Sequence, residues 1–190
     1  PWLERTGQIR THAPYTTGTV SISVGGTSLT GSATLWNTTN SYNENNARTT
    51  GKILFEGTTD IYPISTVTSD TAITLTNKYV GSAALSGATY TYFEDTYDLA
   101  SDFLRPMDFQ FFSQARNIQL IPRDEFRRRF PRPNVAGNPE YACLLDLAPT
   151  GSTSPIRRVQ FYPYPSTTLI IPYTYVTNAV GVSSAGSALT

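Results

Sequence analysis

Val20, Ile22 and Val24 alternate with serine, and the run breaks at Gly25-Gly26 before it resumes. A period of two marks a half-buried strand. Two glycines between such runs predict a two-residue hairpin, because those turns need φ > 0. The pattern recurs in KILFEG (52–57), DIYPISTVTS (60–69), AITLTNKYV (72–80) and ATYTYFE (88–94). Turn residues separate these runs at roughly the 8–12-residue spacing of a small antiparallel barrel or sandwich. Residues 18–93 therefore read as one such unit, with LWNTTNSYNENNARTTG (35–51) as a long, exposed Asn- and Thr-rich loop.

The pattern changes after residue 93. YDLASDFLRPMDF (97–109) reads as a turn or short helix ahead of a strand at NIQLIP (117–122). A helix is predicted over 122–130: Pro122 suits a first helical position, and Asp124 and Glu125 sit in the first turn with arginines in the last. Phe126 and Phe130 share a face and anchor it, and Pro131 and Pro133 stop it. NVAGNPEYACLLDLAP (134–149) is loop then strand. PIRRVQFYPYP (155–165) and TTLIIPYTYVTNA (167–179) are closing strands whose prolines point to edges or irregular strands rather than a sheet centre. The small, polar 181–190 reads as a flexible tail or linker, and the abrupt Pro1 start suggests a piece of a longer protein.

Composition adds boundaries rather than a function. The chain has 190 residues, 39% hydrophobic and 15% charged, with a formal net charge of zero. It can bury a core and has no global field to draw in a polyanion. No apolar run approaches the roughly 18 residues of a membrane span. Cys143 is the only cysteine and His12 the only histidine. Cys143 reads as a small core residue, His12 as a surface residue in a turn, and neither supports a zinc or nucleophile–base motif. The close carboxylates Glu94, Asp95, Asp98 and Asp102 could serve glycoside hydrolysis only if two faced one cleft. As solvated turn residues, or as partners of nearby arginines, they need no chemistry. No catalytic, cofactor or metal site is expected.

Charge is ordered along the chain. Residues 94–108 hold five acids (Glu94, Asp95, Asp98, Asp102, Asp108) and one arginine, whereas 109–133 hold six arginines and two acids. Twelve of the 14 basic residues are arginine, the cation best suited to interfaces. Asp124–Arg128 and Glu125–Arg129 are favourable i,i+4 pairs, which leaves Arg123, Arg127 and Arg132 for a partner. The two blocks can close on each other or meet the opposite block of a second copy.

PWLERTGQIRT, the run from Ile64 to Pro106, DEFRRRFPRPNVAGNPEYA and VQFYPYPSTTLIIPYTYV together resemble head-to-tail adaptor proteins of tailed bacteriophages, over most of residues 1–180. The resemblance implies a mainly β protein: a small β-domain (18–93) inserted in a β-rich platform (1–17 and 94–180) with one or two short helices, the family's flanking helices being missing here. It implies a structural virion protein, made in the host cytoplasm, that forms a homo-oligomeric ring, commonly of twelve copies. Portal and tail or nozzle proteins are the implied partners, with double-stranded DNA in the lumen and no membrane. The alternative is a carbohydrate- or receptor-binding β-module of a tail or fibre, using Tyr42 or Tyr90.

Overall fold

The computed structural model describes residues 3–111, 116–145 and 156–177, so the tail expected at 181–190 lies outside the described residues. The chain is mainly β. Strand β1 (Glu4–Arg10) comes first, and the next seven strands form one antiparallel sheet. They are β2 (Thr19–Ile22), β3 (Ser28–Ser32), β4 (Lys52–Phe55), β5 (Ile61–Ser69), β6 (Ala72–Leu75), β7 (Leu85–Ala88) and β8 (Tyr90–Phe93), in the order β7-β2-β3-β6-β5-β4-β8. The two edge strands, β7 and β8, are separated in the chain by Thr89 alone. One bent strand thus serves both edges, and the sheet curls into a barrel-like form. The other corner is β5, whose first residues pair with β4 and whose later residues pair with β6. Its register shifts at Ile64/Thr66 and Val67/Ser69 bend the strand there.

Alternation fills this barrel. Val20 and Ile22, Ile53 and Phe55, Ile73 and Leu75, and Tyr90 and Tyr92 all point into one cluster. The 35–51 loop is less exposed than its composition suggests. Its Trp36 is fully buried in the same cluster, and the indole N–H donates to the Tyr90 hydroxyl at 2.8 Å. One tryptophan offers more apolar area than the polar residues around it lose, provided its N–H finds an acceptor. The β2–β3 connection is also wider than a two-residue hairpin. The strands end at Ile22 and resume at Ser28, Gly25 takes a positive φ of 75°, and Val24 is exposed.

The remaining elements are β9 (Thr96–Asp98), β10 (Phe103–Phe111), β11 (Arg116–Asn117), β12 (Gln119–Leu120), α1 (Arg123–Arg129), β13 (Ala136–Gly137), β14 (Tyr141–Leu145), β15 (Arg158–Tyr162), β16 (Tyr164–Pro165) and β17 (Ile170–Thr177). They build a sandwich. One sheet runs β1-β17-β10-β11 and the other β12-β14-β15-β9, with β13 and β16 paired separately. Phe103, Phe109, Phe161, Tyr97, Tyr173 and Tyr175 form much of the core between the sheets. The Tyr173 ring lies across Gly7 of β1, in space that a Cβ would occupy. On the far side of the second sheet, α1 closes a smaller cluster of Ile121, Phe126 and Cys143, with Phe130 and Tyr141 packed against it. The order is therefore sheet, core, sheet, small core, helix.

Two expectations change here. Residues 97–98 and 103–109 are strand, and the expected turn is confined to Ser101–Asp102 between them. β10 carries bulges at Phe103/Arg105 and Pro106/Asp108, and a bulge interrupts the alternation that identifies a strand. The proline-containing β17 is central, not an edge. Pro172 lies opposite Gln8 of β1, beyond the Tyr173 end of the β10 ladder, so its missing N–H interrupts no pairing with β10.

Candidate functional site

The chain leaves the barrel at Phe93 and immediately places two acids between barrel and sandwich. Glu94 and Asp95 are 2% and 0% exposed. A carboxylate in such a place must be paired and hydrogen-bonded. Glu94 receives both Nε (2.9 Å) and Nη2 (2.8 Å) of Arg48 in a two-point fork, and the Tyr92 hydroxyl also donates to it. Burial alone would lower the Arg48 pKa. Hydrogen bonding to Glu94 and its charge outweigh this and hold the guanidinium above its ordinary value. Burial, reinforced by the Glu94 charge, drives the Tyr92 phenol well up. Asp95 accepts from Lys52 at 2.6 Å, Gln160 at 2.7 Å and Thr96 at 2.9 Å. Arg48 also reaches Glu44 at 3.2 Å, and Glu44 in turn pairs with Arg10 at 2.5 Å. Arg48 and Lys52 come from the barrel, and Arg10 and Gln160 from the sandwich, so this network joins the two.

His12 lies beside this seam and is buried, not on the surface. Its Nδ1–H donates to the Ala13 carbonyl at 2.8 Å, which leaves Nε2 to accept from the Asn40 amide at 3.4 Å. Its ring meets Tyr92 edge-on. These contacts give it a packing role.

The arginine stretch folds as the short helix α1, with Pro122 just outside it at the N-cap position rather than in its first turn, and Phe126 buried under it. Phe130 follows the helix and stacks on Tyr162 at 3.8 Å. Glu125 and Arg129 form the anticipated ion pair at 2.6 Å, whereas no pair within 4 Å joins Asp124 to Arg128 among the described residues. Arg132 donates to Thr59 and lies 3.7 Å from Asp60 in the barrel. Arg127, Arg128 and Arg129 are exposed.

Between α1 and the barrel lies a groove made of two adjoining cavities. The larger, about 560 Å³, is lined by Ile61, Pro63, Phe126 and Phe130, with Lys52, Arg127, Arg132 and Asp60 also on its walls. The smaller, about 300 Å³, is polar: Thr49, Thr50, Thr96, Gln160, Lys52, Arg123, Arg127 and Arg158 line it. The two share Lys52, Pro63, Arg127 and Gln160. Among the described residues of the lining stand five basic residues and one acid. Cys143 lies buried beneath, where burial pushes its thiol up to about 11, with the nearby Arg123 opposing. At that value it is an inert core thiol.

Three acids of the 94–108 block pair outside the basic block of 109–133. Glu94, Asp95 and Asp102 pair with Arg48, Lys52 and Arg5, residues of the first third of the chain. Asp108 accepts the Thr174 amide, and Asp98 is exposed on β9 opposite Arg158. Tyr90 is buried against Trp36 and cannot stack on a sugar, whereas Tyr42 is exposed beneath the Arg10 guanidinium. The groove residues Lys52 and Arg158 were not singled out in the sequence. The available signals were slight: Lys52 is one of two lysines, and Arg157-Arg158 is the only basic pair after residue 133.

Among the described residues no helix is long and apolar enough to cross a membrane. No family model, no curated protein and no solved structure matches the chain.

Proposed function

We propose that this chain is a structural virion protein, an oligomeric ring adaptor that joins the portal of a phage head to its tail and leaves a lumen for DNA. The observation that carries this reading is the placement of two exposed patches of different chemistry on opposite sides of the sandwich. Arg127, Arg128 and Arg129 stand exposed on α1, outside the second sheet. Leu104, Met107 and Ile170 stand exposed on β10 and β17 of the first sheet, at 43%, 54% and 49%. Different patches on opposite sides of one subunit make head-to-tail contacts, and such contacts close into rings when the rotation permits. Arginine on one patch and exposed apolar side chains on the other are residue types of interfaces rather than of a plain solubilising surface. The sequence resemblance supplies the biological setting, and in this reading the protein works by contact, not catalysis.

The test is the mass of the full-length protein alone and with a portal protein, together with negative-stain images. A ring that R128E or M107E returns to folded monomers supports the reading. A strictly monomeric protein that never engages a portal overturns it.

A further inference from the structure

We infer that the open edge of β1 is a strand-pairing site for β1 of a second copy of this chain, in an antiparallel register centred on Gly7. This goes beyond the adaptor reading and does not depend on a ring.

β1 lies at the edge of its sheet and pairs with β17 over all seven of its residues without a register shift. The Thr177 amide donates to the Leu3 carbonyl, and the Thr11 amide donates to the Leu169 carbonyl, both at 2.9 Å. In an antiparallel ladder alternate residues face one neighbour, so the odd-numbered residues of β1 bond to β17. Glu4, Thr6, Gln8 and Arg10 therefore turn their N–H and C=O groups outward. These groups have no partner among the described residues. The other edges differ. β9, β11, β12, β13 and β16 are two or three residues long, and β7 and β8 meet where the barrel closes. β1 is thus the long open edge among the described residues. It holds no proline, bulge or lysine, the usual guards of an edge, and an unguarded edge is a template for another strand.

The occupant follows from the order of charges, because ERTGQIR answers itself. Two such edges can bond only where even-numbered residues meet even-numbered residues. Pairing Glu4 with Arg10 and Thr6 with Gln8 meets that condition and uses the whole strand. Opposite charges then lie across from each other at both ends, and Gly7 meets Gly7 at the centre, where neither copy presents a side chain. Opposite charges across a strand pair are favourable and like charges are not. A parallel copy in full register would set Glu4 beside Glu4 and Arg10 beside Arg10, so the antiparallel arrangement is selected. Little has to move. Arg5 is already held by Asp102 at 2.9 Å, and Ile9 is buried in its own core. Arg10 is bound to Glu44 at 2.5 Å, but its side chain keeps 33% of its exposure and a guanidinium has donors to spare. The contact is isologous, unlike the head-to-tail contacts of a ring.

A seven-residue strand pair is a small interface, so it is read at high concentration. The experiment is sedimentation of the whole chain over a wide concentration range, with amide hydrogen exchange measured at both ends of that range. Association is expected, and with it slower exchange at Thr6, Gln8 and Arg10, while Gly7 and Ile9, already bonded to β17, change little. T6P removes an outward N–H that has no partner inside the chain, so it should abolish association and keep the fold. E4K turns two opposite-charge pairs into like-charge pairs and should weaken association about fivefold or more. R128E, remote on α1, should leave the exchange pattern unchanged, which separates this contact from those of a ring. If T6P proves unfolded by circular dichroism, the wild-type exchange pattern and E4K decide. A peptide of residues 3–11 should compete with association, and a scrambled peptide should not. Equal competition by the scrambled peptide would show that the edge accepts any strand and would overturn the second-copy assignment. A monomer at about 1 mM, association without protection of the even-numbered amides, or association unaffected by both T6P and E4K also overturns it.

Discussion

Replacing Arg48 with methionine keeps the apolar stem and removes the guanidinium from a carboxylate that is 2% exposed. Glu94 would then keep only the Tyr92 hydroxyl of the partners that now hold it. Breaking a buried ion pair on one side costs about 3–5 kcal/mol. Arg48 retains 31% of its side-chain exposure, so water can take part of the load, and the low end, about 3 kcal/mol, is the appropriate figure. At roughly 2–4 °C per kcal/mol for a chain of this size, Tm should fall by about 6–12 °C. Urea unfolding followed by tryptophan fluorescence and by circular dichroism measures the loss directly. R48M/E94Q should recover at least about 1 kcal/mol of it, because neutralising Glu94 removes the stranded charge. A Tm loss below about 2 °C for R48M, with no coupling to E94Q, would show that water rather than the guanidinium satisfies Glu94 and would refute the argument.

Y90F leaves the fully buried Trp36 N–H without its acceptor and should cost about 1–3 kcal/mol, read as a lower urea midpoint with the fold retained. G7A places a methyl where the Tyr173 ring lies and should cost about 1–3 kcal/mol by denaturation, since one of two opposed strands must shift. The Asp102–Tyr175 pair sets limits at both ends of the pH scale. Burial would raise the Asp102 carboxyl, but hydrogen bonds from Tyr175 and Thr177 and the Arg5 charge hold it below its usual value, while burial and Asp102 push Tyr175 up to about 12. The Asp102 contribution is present above its unfolded pKa of about 3.9 and is lost as pH falls through the lower folded value, so the Tm deficit of D102N should vanish in acid. The Tyr175 contribution is complete below its unfolded pKa of about 10 and is lost as pH rises towards 12, so wild type should lose more Tm than Y175F over that interval.

What could be seen beforehand followed from local periodicity. Ile53 with Phe55, and Ile73 with Leu75, lie in strands that bury one face, and a two-residue period reports that without any knowledge of partners. The helix at Arg123–Arg129 was legible because its prolines, first-turn acids and Phe126 are all local signals. β10 was not, because its two bulges remove the period. Glu94 and Asp95 read in the sequence as solvated turn residues or partners of nearby arginines, since nothing next to them distinguishes a buried carboxylate from a turn residue. Their partners Arg48 and Lys52 lie 46 and 43 positions earlier, brought near only by the folding of the barrel. Trp36 was hidden by its polar loop for the same reason: its acceptor, Tyr90, is 54 positions away. The groove combines residues from 49 to 160, and of its lining only the arginines in and just after α1 stand out in the sequence.

The shared bent strand has a consequence for the order in which the molecule assembles. Pairing β1 with β17 joins Glu4 to Val176, nearly the whole length of the chain. Closing so long a loop in an unfolded chain is entropically slow. Within the barrel, the widest strand pairing, Val20 to Ala88, spans far less chain, and once β8 is seated, Tyr15 and Tyr92 exchange backbone hydrogen bonds at 2.9 and 2.8 Å. That bridge removes the entire barrel segment from the remaining search, so the two halves of the sandwich meet as if they were near neighbours in sequence. Pulse-labelled hydrogen exchange should therefore find the Tyr92 amide protected before that of Ile9, and the reverse order would show that the sandwich forms without this shortcut.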